Sequence, residues 1–112
     1  MAPERLPPEA EAIIESLSNK LYFSAASIWE VAIKAGSGRL KLDPSVLRRA
    51  LLDAGYHELA ITSEHTARVI TLEDYHKDPF DRVLIAQAVV EGMELLTHDR
   101  TVAKYKGAIR FV

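Results

Sequence analysis

Three acidic residues, Glu30, Asp81 and Asp99, are the strongest candidates for chemistry in this sequence. Asp81 stands near the start of an apolar segment, and on a helix it would share a face with Leu84 and Ile85. A carboxylate on an apolar stripe is costly to bury unless something positive meets it, and a metal ion is one candidate. Carboxylate oxygens suit hard cations, so the residue types indicate Mg²⁺ or Mn²⁺.

Each of these acids also has a purely structural interpretation. As the third residue of a helix, Asp81 would favour the helix dipole, a contribution of roughly 0.3–1 kcal/mol at an exposed site. Glu30 could pair with Lys34 four residues on, worth roughly 0.2–0.5 kcal/mol. Asp99 could cap the short helix predicted after it. Asp78, which precedes a proline, is predicted to be a helix N-cap and not a ligand.

Composition narrows the class of protein. A length of 112 residues predicts a single domain that spans residues 1–112. Because the sequence has no cysteine, the possible metal ligands are carboxylates, histidines and carbonyls. The four histidines form no His-x-x-x-His pair, which argues against zinc. The absence of cysteine fits a reducing cytoplasm, where we expect this protein. No apolar run reaches the ~18 residues of a membrane span, so no membrane partner is expected. With a net charge of −2, binding nucleic acid would require a local basic patch or metal-bridged phosphates.

Short apolar strands alternate with helices, which predicts an α/β fold with a mostly parallel sheet flanked by helices. Strands are predicted at 21–23, 58–62, 93–97 and 109–112, helices at 7–17, 25–35, 44–54, 63–72, 78–91 and 101–105, and helix N-caps at Ser24, Asp43, Ser63 and Asp78. Residues that follow parallel strands converge at one edge of the sheet, and Glu30, Asp81 and Asp99 all have such placements. Trp29 is expected to anchor the core.

Two sequence blocks carry a resemblance to a known family. They are Ser-x-x-Ser-x-Trp-Glu at 24–30 and Asp-Pro-Phe-Asp-Arg at 78–82, supported by Gly-Arg-Leu at 38–40 and Leu-Leu-Thr-His-Asp at 95–99. Together they resemble a PIN domain, and most closely the VapC-like toxin ribonucleases of bacterial toxin–antitoxin pairs. The resemblance implies a PIN-like three-layer fold and an acidic site in which divalent cations support the cleavage of RNA.

The resemblance also assigns roles to residues. By position, Glu30, Asp81 and Asp99 match the second, third and fourth acids of the family, so they are expected to be both the catalytic and the metal-binding residues. Thr97 matches the hydroxyl residue that accompanies the last acid. Basic residues could steer the RNA backbone, and the candidates are Lys34, Arg39, Lys41 and Arg82, although each taken alone better fits a solvated surface charge.

One part of the family pattern has no match. The family's first acid ends an opening strand, in a Leu-Leu-Asp-Thr-like run that this sequence lacks. In the PIN sheet that strand is central, between the strands predicted at 21–23 and 93–97, so we expect an N-terminally truncated domain with two unpaired strand edges. A late gene start, a truncated remnant and a strand supplied by a partner would each explain this.

The function that these expectations describe is a metal-dependent endoribonuclease toxin of a type II toxin–antitoxin module. Its expected cofactor is Mg²⁺ or Mn²⁺, and its expected partners are an RNA substrate, a cognate antitoxin and a second copy in a homodimer. The alternative is a catalytically impaired PIN remnant that acts as an antitoxin-binding or dimerisation module. The two differ in whether the acids hold a metal.

Overall fold

The computed structural model describes residues 8–16, 18–75, 77–97 and 99–112. Within them, helices and short strands alternate along the chain. The helices are α1 (Pro8–Glu15), α2 (Ala25–Gly36), α3 (Pro44–Asp53), α4 (Ser63–Arg68) and α5 (Pro79–Glu91), with 3₁₀ turns at Val69–Thr71 and Val102–Lys104, and the strands are β1 (Tyr22–Ser24), β2 (His57–Leu59), β3 (Leu95–Thr97) and β4 (Ile109–Phe111). The predicted α/β class is confirmed. Leu17, at the end of the first predicted helix, lies outside the described residues.

Capping residues set the starts of three helices, as predicted. The side chains of Ser24, Asp43 and Asp78 each accept a hydrogen bond from a backbone N–H in the first turn of α2, α3 and α5. These bonds satisfy donors that the helix leaves without an internal partner. At the other end of α5, Gly92 adopts a left-handed conformation with φ of 67°, which a residue without a Cβ reaches at little cost. The predicted limits of α5 are therefore confirmed.

The start of α4 differs from the prediction. Ser63 was expected to be the cap, but Thr62 has this role: its Oγ1 accepts a hydrogen bond from the backbone N–H of His65. In return, Nδ1 of His65 accepts a hydrogen bond from the backbone N–H of Thr62 at 3.0 Å. A capping box usually has Glu or Gln at this position, so the sequence pattern gave no indication that an imidazole would fill it. The helix then tightens into the 3₁₀ turn Val69–Thr71.

The strands form two parallel pairs. β1 pairs with β2, in the register Tyr22 to His57, and β3 pairs with β4, in the register Leu95 to Ile109. The predicted parallel orientation is confirmed. Among the described residues no strand lies between β1 and β3, so each of these strands has one edge without a strand neighbour.

A cavity of about 490 Å³ lies between the two strand pairs, and we call it the inter-sheet cleft. β1 and β3 contribute its two strand walls, and α1 and α5 also border it. Its apolar lining includes Ile13, Ile14, Phe23, Leu84, Leu95 and Leu96. The cleft is therefore an apolar opening bordered by two unpaired strand edges.

The best-packed part of the molecule surrounds the second half of α5. Ile85 is fully buried and forms the centre of the core with Val102 and Tyr105. The next three residues of the helix, 86–88, are buried as well. Because a helix is normally buried along one stripe, four consecutive buried residues mean that this segment is covered from several sides. Helix α5 therefore holds the core together and also carries Asp81 at its start.

Candidate functional site at the strand and helix ends

Glu30 lies in the second turn of α2 and is paired with Lys34. The Nζ atom of Lys34 is 2.9 Å from Oε2 of Glu30, one helical turn away. Both side chains are partly exposed, so the pair adds only a few tenths of a kcal/mol to stability. The structural interpretation of Glu30 as an ion-pair partner is thus realised in the fold.

Asp81 is the third residue of α5, directly after the N-cap turn. The carboxylate of Asp78 accepts hydrogen bonds from the backbone N–H groups of Phe80 and Asp81, at 2.9 and 3.1 Å. This confirms Asp78 as the cap. The Asp81 side chain is half-buried, one turn before the buried Ile85. Its place at the positive end of the helix dipole and at the edge of the core is the one that the sequence predicts.

Asp99 follows β3 and caps the turn after it. Its Oδ1 accepts hydrogen bonds from the backbone N–H groups of Thr101, at 2.7 Å, and Val102, at 3.2 Å. Its own N–H donates to Oγ1 of Thr97 at 3.0 Å. The hydroxyl residue that was expected to accompany this acid therefore contacts its backbone. His98, between the two, lies outside the described residues, as does His76.

An aromatic contact joins the segments that carry Glu30 and Asp81. The ring centroids of Trp29 and Phe80 are 5.1 Å apart, and the ring planes are inclined at 78°. The expectation that Trp29 anchors the core is wrong, because its side chain is 59% exposed. The core side of α2 is made by the small residue Ala26, and the larger ring packs at the rim against Phe80.

The metal centre itself stays a prediction. In the part of the chain that the structure describes, no three His, Asp or Glu side chains come together as a group that could hold a metal ion. In chemistry, Glu30, Asp81 and Asp99 fit a hard divalent cation, because all three offer carboxylate oxygens. Their placement does not form a metal-binding group, since Glu30 forms an ion pair with Lys34 and Asp99 accepts hydrogen bonds from backbone N–H groups.

Arg82 has a structural role that the sequence did not suggest. Its guanidinium donates hydrogen bonds to the backbone carbonyls of Glu73, at 2.9 Å, and Val69, at 3.2 Å, and to the hydroxyl of Tyr105, at 3.1 Å. These bonds tie the start of α5 to the segment before it and to the core. Arg82 therefore holds the helix of Asp81 in place, and its contact with an RNA backbone stays a prediction.

A buried polar network between β1, α4 and α5 was also not foreseen. Oγ of Ser24 donates a hydrogen bond to Oε1 of Gln87 at 2.6 Å, and the Gln87 amide donates to the carbonyl of Ala60 at 3.4 Å. Nearby, Nε2 of the fully buried His65 is 2.6 Å from a carboxylate oxygen of Glu91. Because Nδ1 of His65 accepts a hydrogen bond, Nε2 is the nitrogen that donates to Glu91. Gln87 within an apolar helix was the one signal in the sequence.

Comparison with known proteins finds a match to one protein family. The family model described as PIN domain matches residues 2–108 of the chain, a range that includes Glu30, Asp81 and Asp99. No curated protein and no solved structure matches the chain. Within the described residues, none of the helices has the length and apolar character needed to cross a membrane.

Proposed function

Because the chain belongs to the PIN domain family, whose members are generally nucleases, we propose that it is a metal-dependent endoribonuclease of the VapC-like toxin kind. The observation that carries this proposal is the family match over residues 2–108, which includes all three acids. The Trp29–Phe80 contact supports it, since it brings together the segments on which Glu30 and Asp81 lie. The proposed partners are single-stranded RNA, a cognate antitoxin and a second copy of the chain.

In this proposal Glu30, Asp81 and Asp99 hold Mg²⁺ or Mn²⁺, which when bound offsets the charge of the scissile phosphate and lowers the pKa of a water. The protein contributes positioning. Thr97 fixes the backbone at Asp99, and the Asp78 cap fixes the first turn of α5. Rigid support of this kind matters because small displacements of a reacting group cost large factors in rate.

RNA cleavage by the wild-type chain and by Asp81→Asn tests the proposal. Asp78→Asn is the matched control, because asparagine caps a helix about as well as aspartate while removing the same charge three residues away. We expect Asp81→Asn to lose on the order of a hundredfold in Mn²⁺-dependent cleavage, as expected for a group that stabilises transition-state charge. Asp78→Asn should keep most of the activity. Equal cleavage by wild type and Asp81→Asn would rule out the assignment.

The inter-sheet cleft favours a second candidate function. We propose that an extended segment parallel to β1 and β3 fills it, because neither strand has a described strand neighbour at that edge and the lining is apolar. If a partner or a second copy supplies that segment, the chain is a binding or dimerisation module, and no metal is needed. If the segment belongs to the same polypeptide, an in-frame Leu-Leu-Asp-Thr-like stretch will precede the Met1 codon in the genomic DNA, and the enzyme proposal gains its fourth acid.

A further inference from the structure

Trp29 is the single tryptophan of the chain, and 59% of its side chain is exposed. Tryptophan is a large residue that is highly buried on average, so this degree of exposure calls for an explanation. The side chain is also not isolated on the surface. It is held on one side by Phe80, so the ring has a fixed position at the rim of α2 and α5.

The geometry of this aromatic pair leaves a flat surface available. The two rings are inclined at 78°, so one ring presents its edge to the face of the other. Whichever ring provides the edge, Phe80 can cover at most one face of the Trp29 indole. Because 59% of the Trp29 side chain is exposed, the indole has surface on which another ring can stack. Each member of the pair directly precedes one of the acids, Glu30 or Asp81.

We propose that the Trp29 indole is a platform on which a base of single-stranded RNA stacks beside the acidic residues, with Phe80 as its support. This inference rests on the proposed nuclease function for the identity of the ligand. Stacking suits this chain because its net charge of −2 gives no general attraction for RNA. Every base has a flat π-face, so such a platform holds a strand without selecting its sequence.

A protein partner is the rival occupant of this surface. Ile33 on α2 and Val46 on α3 are exposed too, at 42% and 61%, and an apolar partner would cover them together with Trp29. The ring contact favours RNA, because it holds Trp29 against α5, the helix that carries Asp81, and not against α3. The two occupants make different demands, since a base needs only the indole face while a protein needs the wider apolar area.

Fluorescence of Trp29 provides a direct test, because no other tryptophan contributes to the signal. The wild-type chain is titrated with an oligouridylate of about ten nucleotides, a length within the usual range of single-strand sites. The matched probe is an abasic ribose-phosphate oligomer of the same length. Both titrations contain Ca²⁺ in place of Mg²⁺. Ca²⁺ supplies the same positive charge, but its coordination is looser than that of Mg²⁺, so the experiment measures binding and not cleavage. We expect quenching by the oligouridylate and little change with the abasic oligomer.

Variants separate the platform from its rival. Since Trp29→Ala and Trp29→Phe remove the only tryptophan, their binding is measured by the fluorescence anisotropy of a dye-labelled oligouridylate, with the wild type measured in the same way. Trp29→Ala should weaken binding of the oligouridylate about tenfold, the size of one base–aromatic stack, whereas Trp29→Phe should retain most of it. Val46→Ala, which removes apolar surface that a protein partner would cover but a stacked base would not, should leave binding of the oligouridylate unchanged. Far-ultraviolet circular dichroism checks that each variant folds. Equal binding by wild type and Trp29→Ala, or equal quenching by both probes, would overturn the platform. If the emission of Trp29 changes with protein concentration in the absence of RNA, the surface is covered by a second copy of the chain and the platform is overturned.

The outcome also separates this inference from the nuclease proposal. If the wild-type chain shows base-dependent quenching but no cleavage with Mn²⁺, the nuclease proposal fails and the platform stands. If the chain cleaves RNA without base-dependent quenching, only the platform fails.

Discussion

Helix α5 borders two regions that differ sharply in how they are filled, the core around Ile85 and the inter-sheet cleft. In the core, Ile85 is fully buried and packs with Val102 and Tyr105. At the inter-sheet cleft, the neighbouring Leu84 borders open space and is only half-buried. Two consecutive residues of the same helix therefore have very different surroundings.

This difference indicates which part of the described fold contributes most to its stability. The buried Gln87 has hydrogen-bond partners in Ser24 and Ala60, as the interior of a protein requires. At the cleft, β1 and β3 each present an edge that no strand among the described residues pairs with. Stability should accordingly depend on the core, and gains in stability should be available at the cleft.

The largest expected effect comes from truncating two neighbouring residues of α5, one in the core and one at the cleft. Ile85→Ala should lower the free energy of unfolding by about 4 kcal/mol, because a well-packed site leaves a cavity that cannot collapse. Leu84→Ala, its matched control on the same helix, should cost about 1 kcal/mol, since its side chain already borders open space. Urea denaturation measures both. Equal losses would show that the cleft side is as well packed as the core.

A strand-forming peptide probes the open side directly. A peptide of about six β-branched residues, with lysines at its ends for solubility, matches the length of an average strand and the apolar character of a buried one. At a hundredfold excess over its Kd it should raise the free energy of unfolding by about 2.7 kcal/mol. Thermal and urea unfolding report the gain. The control peptide has proline at alternate positions and lacks the N–H donors for a ladder, so stabilisation by both peptides would contradict strand pairing.

A smaller effect is expected from the polar network. Gln87→Leu keeps the volume but leaves the hydroxyl of Ser24 without its acceptor, which should cost about 2 kcal/mol in unfolding free energy. The exposed amide of Asn19, which donates to the carbonyl of Ile13 at 2.9 Å, serves for comparison. Asn19→Leu should change stability by less than about 0.5 kcal/mol, because water can replace the lost bond. A Gln87→Leu variant as stable as wild type would show that the network adds nothing.

Local chemistry made much of the fold predictable. Asp43 and Asp78, each followed by a proline, fix the starts of α3 and α5, and Gly92 fixes the end of α5, because these residues act through bonds to their own neighbours. The role of His65 in the capping box was not predicted, because the usual capping-box pattern has Glu or Gln at this position. The division of the sheet into two pairs depends on long-range pairing, and the sequence pattern alone predicts only parallel strands.

The placement of the candidate residues along the chain was predictable, and their local partners were less so. Glu30 lies in the helix after β1, Asp81 at the start of α5 and Asp99 after β3, as predicted. The partners of Glu30 and Asp99 come from the local chain, and their role as metal ligands stays a prediction. For Trp29, residue type alone did not predict burial. Its size suggested a place in the core, yet the side chain is mostly exposed and its ring packs against Phe80 at the rim. Which side chains converge is a tertiary property that residue spacing does not contain.

Calorimetric titration with Mn²⁺ tests the central claim, that the acids hold a divalent cation, most directly. The comparison uses the wild-type chain, Asp81→Asn and Asp99→Asn, with Asp78→Asn as the control. Asparagine preserves the capping bonds that Asp78 and Asp99 accept, so these variants change the carboxylate and not the helix start. We predict binding by the wild type and by Asp78→Asn, and affinity at least about tenfold weaker in the other two variants. A folded wild-type chain that binds no Mn²⁺, or equal affinity in all four proteins, would contradict the metal-dependent function.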